Sequence, residues 1–125
     1  MRFRRILSAL TLALLAACAD EGPVSGPGTM TAILVSPNGP EGAALVILIG
    51  SGVGQINPVG GTEVYSYSAN GTTQVVLINQ AGGELSFQVA VADTTDLPGV
   101  VVQEVAGPDD QLRSPTSEYE LEFVR

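Results

Sequence analysis

From Thr29 onward, short apolar segments alternate with clusters of Gly, Pro, Asn and Asp, and no segment keeps a helical period. Segments of this length and spacing are typical of an all-β sandwich. The pattern places strands at 29–36, 43–50, 53–57, 62–68, 73–79, 84–92, 100–105 and 117–124. The sequence therefore predicts a single antiparallel β-sandwich built from residues 29–125.

Two of these segments alternate apolar and polar side chains, as expected for strands with one buried and one solvated face. In the first, the apolar set is Leu85, Phe87, Val89 and Val91. In the second, Tyr119, Leu121 and Phe123 alternate with Glu118, Glu120 and Glu122. Both segments are predicted to turn their apolar side toward the core.

The pair Asn70-Gly71 separates two other segments and indicates a tight β-hairpin. A type I′ turn needs positive φ at both central residues, which Asn and Gly tolerate best. Asn70-Gly71-Thr72 also matches the N-glycosylation sequon, but the turn is the simpler interpretation.

The run from Ala43 to Ile49 is apolar on both of its faces. A sandwich strand normally buries one face, so the other must be covered by a loop, by another chain or by a ligand. Coverage by the domain's own loops is the ordinary arrangement. The alternative is a partner surface, for which the candidate residues are Leu45, Ile47 and Ile49, with Tyr65 and Tyr67 from one face of another strand.

The chain contains no histidine, lysine or tryptophan. A serine nucleophile therefore lacks its usual base, and the commonest metal ligand is missing. Residues 18–125 contain thirteen acidic residues and two basic ones, Arg113 and Arg125, which gives a formal charge of −11. Because phosphate binding requires clustered Lys and Arg, we expect no nucleic-acid partner. These absences predict a domain that is not an enzyme.

Two acidic pairs are the candidates for chemistry by carboxylates alone, Asp93 with Asp96 and Asp109 with Asp110. If their loops met at one end of the sandwich they could form a weak calcium site, although neither matches an EF-hand. A small carboxylate- or calcium-dependent hydrolase is thus the alternative function. Solvated turns are the ordinary interpretation, and we expect no metal and no bound cofactor.

The stretch LIGSGVGQ, which ends at Gln55, partly matches a dinucleotide-binding fingerprint. Gly50 and Gly52 fit the first two glycines, but Gln55 stands where the third belongs. The residues that follow cannot open the helix on which phosphate binding depends. We interpret the stretch as a turn between strands and expect no nucleotide.

The N-terminal segment joins a basic start, Met1 to Arg5, to an apolar stretch that ends at Ala17. The stretch is shorter than the roughly 20 residues of a spanning helix and has the form of an export signal. Its last residues and the chain's only cysteine, Leu15-Ala16-Ala17-Cys18, resemble the lipobox of bacterial lipoproteins. The resemblance implies cleavage before Cys18 and a covalent diacylglycerol on its sulfur. An ordinary secretory signal, cut at an Ala-x-Ala site that includes Cys18, is the alternative.

On this interpretation, residues 1–17 are a signal peptide, residues 18–28 hold the lipidated cysteine and a linker, and residues 29–125 form the sandwich. The linker is rich in Gly, Pro and acids, and its ten residues after Cys18 reach at most about 33 Å. The protein is predicted to be lipid-anchored in the cell envelope, where it contacts an envelope protein or a glycan. Ala19 replaces the Asp that retains some lipoproteins in the inner membrane, so the resemblance favours the outer membrane.

Two stretches of the sandwich segment, PEGAALVILIGSGV and NQAGGELSFQVAVAD, resemble cohesin-like domains of bacterial surface and cellulosome proteins. In that family an apolar strand opens with a Gly-Ala pair, and a glycine turn precedes an alternating strand. The resemblance implies a jelly-roll sandwich that recognises another protein, classically a dockerin. An immunoglobulin-like arrangement of the two sheets stays open, and no dockerin-contacting residue transfers to this chain.

Overall fold

The computed structural model describes residues 25–125, so the signal segment, the lipobox and Cys18 lie outside the described residues. Eight strands form two four-stranded antiparallel sheets, with the orders β3-β6-β1-β8 and β4-β5-β2-β7. Their bounds are β1 Gly28–Val35, β2 Glu41–Ile49, β3 Val53–Pro58, β4 Glu63–Ala69, β5 Thr72–Gly83, β6 Ser86–Val91, β7 Gly99–Ala106 and β8 Glu120–Val124. The prediction of an antiparallel β-sandwich is confirmed. Within the described range, no helix is long and apolar enough to cross a membrane.

All eight strands lie where the sequence predicted them, and two differ clearly in length. β5 continues beyond residue 79 to Gly83, because its end pairs with Glu41 across a register shift in β2. β8 starts at Glu120 and not at residue 117, because a turn precedes it in which the Tyr119 N–H donates to the Thr116 carbonyl at 3.1 Å.

The chain crosses between the sheets at every connection except the one from β4 to β5. There, Asn70 and Gly71 have φ angles of 54° and 77°, and Ala69 pairs with Thr72. These are the features of the predicted two-residue hairpin. The last four strands pair with the first four in reverse order, β5 with β4 through β8 with β1.

The core lies between the two sheets and is formed by alternate residues of the strands. The predicted apolar positions of β6 and the residue before it, from Leu85 to Val91, are buried, and Phe87 is fully buried. Facing them across the sandwich is the inner side of β2, which consists of Ala44, Val46 and Leu48. Alternation therefore identified the inner faces correctly.

The loops of the sandwich gather at two ends. At the near end, where residue 25 enters, are loops 50–52 and 92–98 and the hairpin 70–71. Asp93 holds the incoming chain there, since its Oδ1 accepts the Gly26 N–H at 3.2 Å. At the far end are loops 36–40 and 107–119.

Candidate functional site

The candidate site is the outward face of the sheet β4-β5-β2-β7, which we call the apolar face. Strand register places its side chains in rows that cross the sheet. One row contains Tyr65, Val76, Leu45 and Glu104, and the next contains Tyr67, Gln74, Ile47 and Val101. A further row adds Ile49 beside Thr72. The structure thus brings all five predicted partner-surface residues onto one face.

The domain's own loops leave the apolar face open. Tyr65 and Tyr67 are 60% and 70% exposed, and Ile49 and Val101 are 48% and 45% exposed. Leu45 and Ile47 are half-buried on a central strand flanked by β5 and β7. The arrangement that sequence reasoning took as ordinary, coverage by loops, is therefore not the one observed.

The outward face of the other sheet is polar by comparison. Its rows are formed largely by Thr, Ser, Gln and Glu, such as Thr31 beside Gln88 and Ile33 between Ser86 and Glu122. A sandwich sheet with one solvated side is expected to look like this. The apolar face departs from that rule along all four of its strands, and a departure of this kind marks interaction surfaces in soluble proteins.

Sequence reasoning missed the contribution of β5, β7 and the loop after β7 to the apolar face. Val76, Val101 and the 71%-exposed Leu112 extend it. Leu112 borders a shallow depression of about 240 Å³ whose lining is almost wholly apolar, together with Leu45 and Val76. Register identifies Val76 and Val101 as outward, because Val75-Val76-Leu77 in β5 and Val100-Val101-Val102 in β7 are apolar without alternation.

Two acids mark one end of the apolar face. Glu63 begins β4 at one edge of the sheet, and Glu104 lies on β7 at the opposite edge. Three strand spacings separate these edges, which is about 14 Å. The face therefore has an apolar centre with negative charge on both flanks of its far end.

The calcium candidates lie at opposite ends of the sandwich. Asp93 and Asp96 precede β7 at the near end, and Asp109 and Asp110 follow β7 at the far end. The eight residues of β7 separate the two loops by roughly 25 Å. The condition for a shared site, that the loops meet, is not fulfilled. In the described part of the chain, no three His, Cys, Asp or Glu side chains come together as metal ligands.

Asp93 acts as a hydrogen-bond acceptor within its own loop. Its Oδ1 accepts the Thr95 hydroxyl at 2.7 Å, the Thr95 N–H at 2.9 Å and the Gly26 N–H at 3.2 Å. These bonds favour the ionised form and lower the pKa of Asp93, with the Thr95 hydroxyl as the main cause. Asp109 is used in the same way, since its Oδ1 accepts the Gln111 N–H at 3.2 Å. Both carboxylates stabilise turns.

A buried polar cluster at the far end was not foreseen from the sequence. Glu41 is only 1% exposed, and its Oε2 accepts hydrogen bonds from the Tyr119 hydroxyl and, at 3.0 Å, from the Ser36 hydroxyl. Its Oε1 accepts the Arg113 Nε–H at 3.0 Å. Asn38 Nδ2 donates to the Tyr119 oxygen at 2.7 Å. Glu41 stands between Pro40 and Gly42, and no local pattern marks it as buried.

The Glu41 cluster is structural in character. Glu41 raises the pKa of Arg113, chiefly through the hydrogen bond between them, which favours the charged guanidinium. Both carboxylate oxygens accept hydrogen bonds from side chains of the far end. Loop 36–40 and the segment before β8 are joined through this one side chain.

The glycine-rich stretch LIGSGVGQ forms the connection from β2 to β3, with Gly50 at φ 144°, as predicted for a turn. No family model, no curated protein and no solved structure matches the chain.

Proposed function

We propose that the protein is a lipid-anchored, non-catalytic binding module of the bacterial cell envelope, and that it engages its partner through the apolar face. The lipobox at Leu15 to Cys18 supports the anchor. The favoured location is the outer membrane. The favoured partner is an envelope protein, with a glycan as the second candidate because Tyr65 and Tyr67 offer exposed rings on one strand.

One observation carries the binding proposal, the contrast between the two outward faces of the sandwich. Both sheets have four strands. The outward side of one presents mainly Thr, Ser, Gln and Glu, with Val35 and Val124 as its exposed large apolar residues, whereas the other groups exposed Tyr65, Tyr67, Ile49 and Val101 with half-buried Leu45 and Ile47. A protein surface with an apolar centre and basic residues about 16 Å apart would match the face and its flanking Glu63 and Glu104, which lie three strand spacings and two residues apart.

The anchor is tested on the exported full-length chain. Intact-mass analysis of membrane-extracted protein is expected to show a chain that begins at residue 18 and carries acyl chains on Cys18. Substitution Cys18→Ser should abolish the acyl mass, because the sulfur is the attachment atom. An unmodified thiol, or cleavage at another position, would refute the anchor while leaving the binding proposal untouched.

The binding surface is tested with a matched pair of variants. Val101→Asp places a charge on the apolar face, and Val35→Asp places the same charge on the outward face of the other sheet at nearly equal exposure, 45% against 43%. Tagged full-length chains are cross-linked in cells and compared for co-purified envelope proteins, and separately for sedimentation with cell-wall glycan. Val101→Asp should reduce the captured partner at least about tenfold, since desolvating one charge costs more than 1.4 kcal/mol. Equal capture by both variants would refute the surface.

Two other functions stay predictions with less support. The carboxylate-dependent hydrolase would have to work from acids that the described loops place about 25 Å apart. The cohesin-like recognition of a dockerin rests on the sequence resemblance alone. Calorimetric titration with calcium, and activity assays of Asp93→Ala and Asp109→Ala, distinguish the hydrolase from the binding module.

A further inference from the structure

The four outer edges of the two sheets differ in how well they are protected against pairing with another strand. Natural edge strands carry proline, bulges, charges or short length for this purpose. β3 contains Pro58 and a register shift, and β8 has five residues with Glu120 and Glu122. β7 has a register shift and Glu104, and Ala106 at its end pairs with Leu112.

β4 has none of these protections along its length. It pairs with β5 over all seven residues without a register shift, and its only charge is Glu63 at one end. Ser66 and Ser68 are exposed although their side chains lie on the inner side of the sheet, and no other strand of residues 25–125 pairs with the outer edge of β4. A regular, uncharged edge of this kind is a template for strand addition.

The hairpin determines which backbone groups β4 presents. In a two-residue hairpin the closing pair, here Ala69 and Thr72, is hydrogen-bonded, and hydrogen-bonded pairs alternate along the ladder. Tyr67 and Tyr65 therefore bond to β5. The N–H and C=O groups of Val64, Ser66 and Ser68 point away from it.

We propose that two copies of the chain pair antiparallel through β4, with the two-fold axis at Ser66, to form a continuous eight-stranded sheet. In this register Ser66 faces Ser66 of the second copy, and Val64 faces Ser68, so all three outward residues are hydrogen-bonded. Tyr65 lies opposite Tyr67 of the second copy, and by symmetry Tyr67 lies opposite Tyr65 of the second copy. Four tyrosines then form one cluster, and the apolar faces of both copies become continuous.

The single charge on β4, Glu63, does not oppose a second copy in this register. Glu63 lies opposite Ala69, and the two Glu63 side chains stand six residues apart along the junction, about 20 Å. The remaining repulsion is that between the overall charges of the two copies. Residues 25–125 contain eleven acids and two arginines, a formal charge of −9 for each copy. Salt screens such repulsion beyond roughly 8 Å at physiological ionic strength. The dimer should therefore tighten as salt is raised, whereas a basic partner strand would bind more weakly.

The register is tested by disulfide cross-linking of the exported full-length chain in membranes. Facing Ser66 residues would have Cα atoms about 5.5 Å apart, within disulfide reach, so Ser66→Cys should give a covalent dimer. Ser68→Cys is the matched control on the same strand, since two copies of it would be about 14 Å apart. The parent chain, whose only cysteine is Cys18, is the control for any disulfide formed through that residue. Equal cross-linking at both positions, or at neither, overturns the proposal.

Self-association is measured by sedimentation equilibrium in detergent with a second matched pair. Ser66→Lys places a charge in the junction, and Asn57→Lys adds the same charge to the exposed edge strand β3. Ser66→Pro removes two interchain hydrogen bonds and should weaken the dimer about thirtyfold. Asn57→Lys should leave the dimer intact. A parent chain that stays monomeric at high salt, or dimers unaffected by Ser66→Lys, would overturn the proposal, and a different protein captured on β4 would do so too.

Discussion

Replacing Tyr119 by Phe removes a single oxygen from the Glu41 cluster and tests whether that cluster holds the far end together. The hydroxyl donates to the buried Glu41 carboxylate and accepts from Asn38. A hydrogen bond to a charged group contributes about 1.5–3 kcal/mol. Ser36 and Arg113 still donate to Glu41 in the variant, so the carboxylate keeps partners and the loss should be about 2 kcal/mol.

The assay is urea and thermal unfolding of the purified chain, followed by far-ultraviolet circular dichroism. For a domain of this size, 2 kcal/mol corresponds to a decrease in Tm of roughly 10 °C. Tyr65→Phe is the control, because its exposed hydroxyl makes one 3.4 Å contact with Glu63 and should matter by less than about 0.5 kcal/mol.

A double-mutant cycle makes the Tyr119 prediction specific to the network. Asn38→Ala should cost about 1 kcal/mol in the parent chain, because its side-chain donor to the Tyr119 oxygen is lost. In the Tyr119→Phe background, the same substitution should cost almost nothing, because the acceptor has already gone. Equal unfolding free energies for Tyr119→Phe and Tyr65→Phe, or full additivity in the cycle, would refute the reasoning.

Three further predictions concern the stability of the sandwich, each measured by urea unfolding. Gly71→Ala should destabilise the chain by about 1–2 kcal/mol, because φ at this position is 77° and a Cβ is disfavoured there. Phe87→Ala should cost about 3–5 kcal/mol, since this ring is fully buried between the sheets. Asp93→Asn should be less stable than the parent near neutral pH. The difference should shrink as pH falls below the ordinary pKa of 3.8, because folding lowers the pKa of Asp93 and its stabilisation is lost on protonation.

The sequence predicted the strands and the hairpin because both depend on local chemistry. Alternation identified Leu85, Phe87, Val89 and Val91 as inward, and the backbone preference of Asn70-Gly71 located the hairpin between β4 and β5. Strand ends were less certain, because β5 is extended by pairing with Glu41, which is distant in sequence.

The candidate site was predicted only in part, because it depends on register between distant strands. Ala43 to Ile49 was visibly apolar on both faces, but its outward neighbours Val76 and Val101 are fixed by pairing that no local pattern contains. The Glu41 cluster was missed for the same reason, since its partner Arg113 is 72 residues away. The acid pairs show the same dependence on distant structure, since only the strand arrangement shows that β7 places their loops at opposite ends of the sandwich.

The Glu41 cluster and the apolar face meet at the far end of the sandwich. Glu41 begins β2, the central strand whose outward side chains form the middle of the apolar face, and Arg113 follows Leu112 at the margin of that face. The ion pair thus fixes the end of β2 and the loop that borders the depression to each other. Val101→Asp should therefore weaken the proposed binding by the apolar face without unfolding the chain. Tyr119→Phe should instead destabilise the far end and affect that binding only through the position of Leu112. Unfolding free energy and partner capture, measured separately for the two variants, would show whether the apolar face and the Glu41 cluster have distinct roles. Proportional losses in both assays would contradict distinct roles.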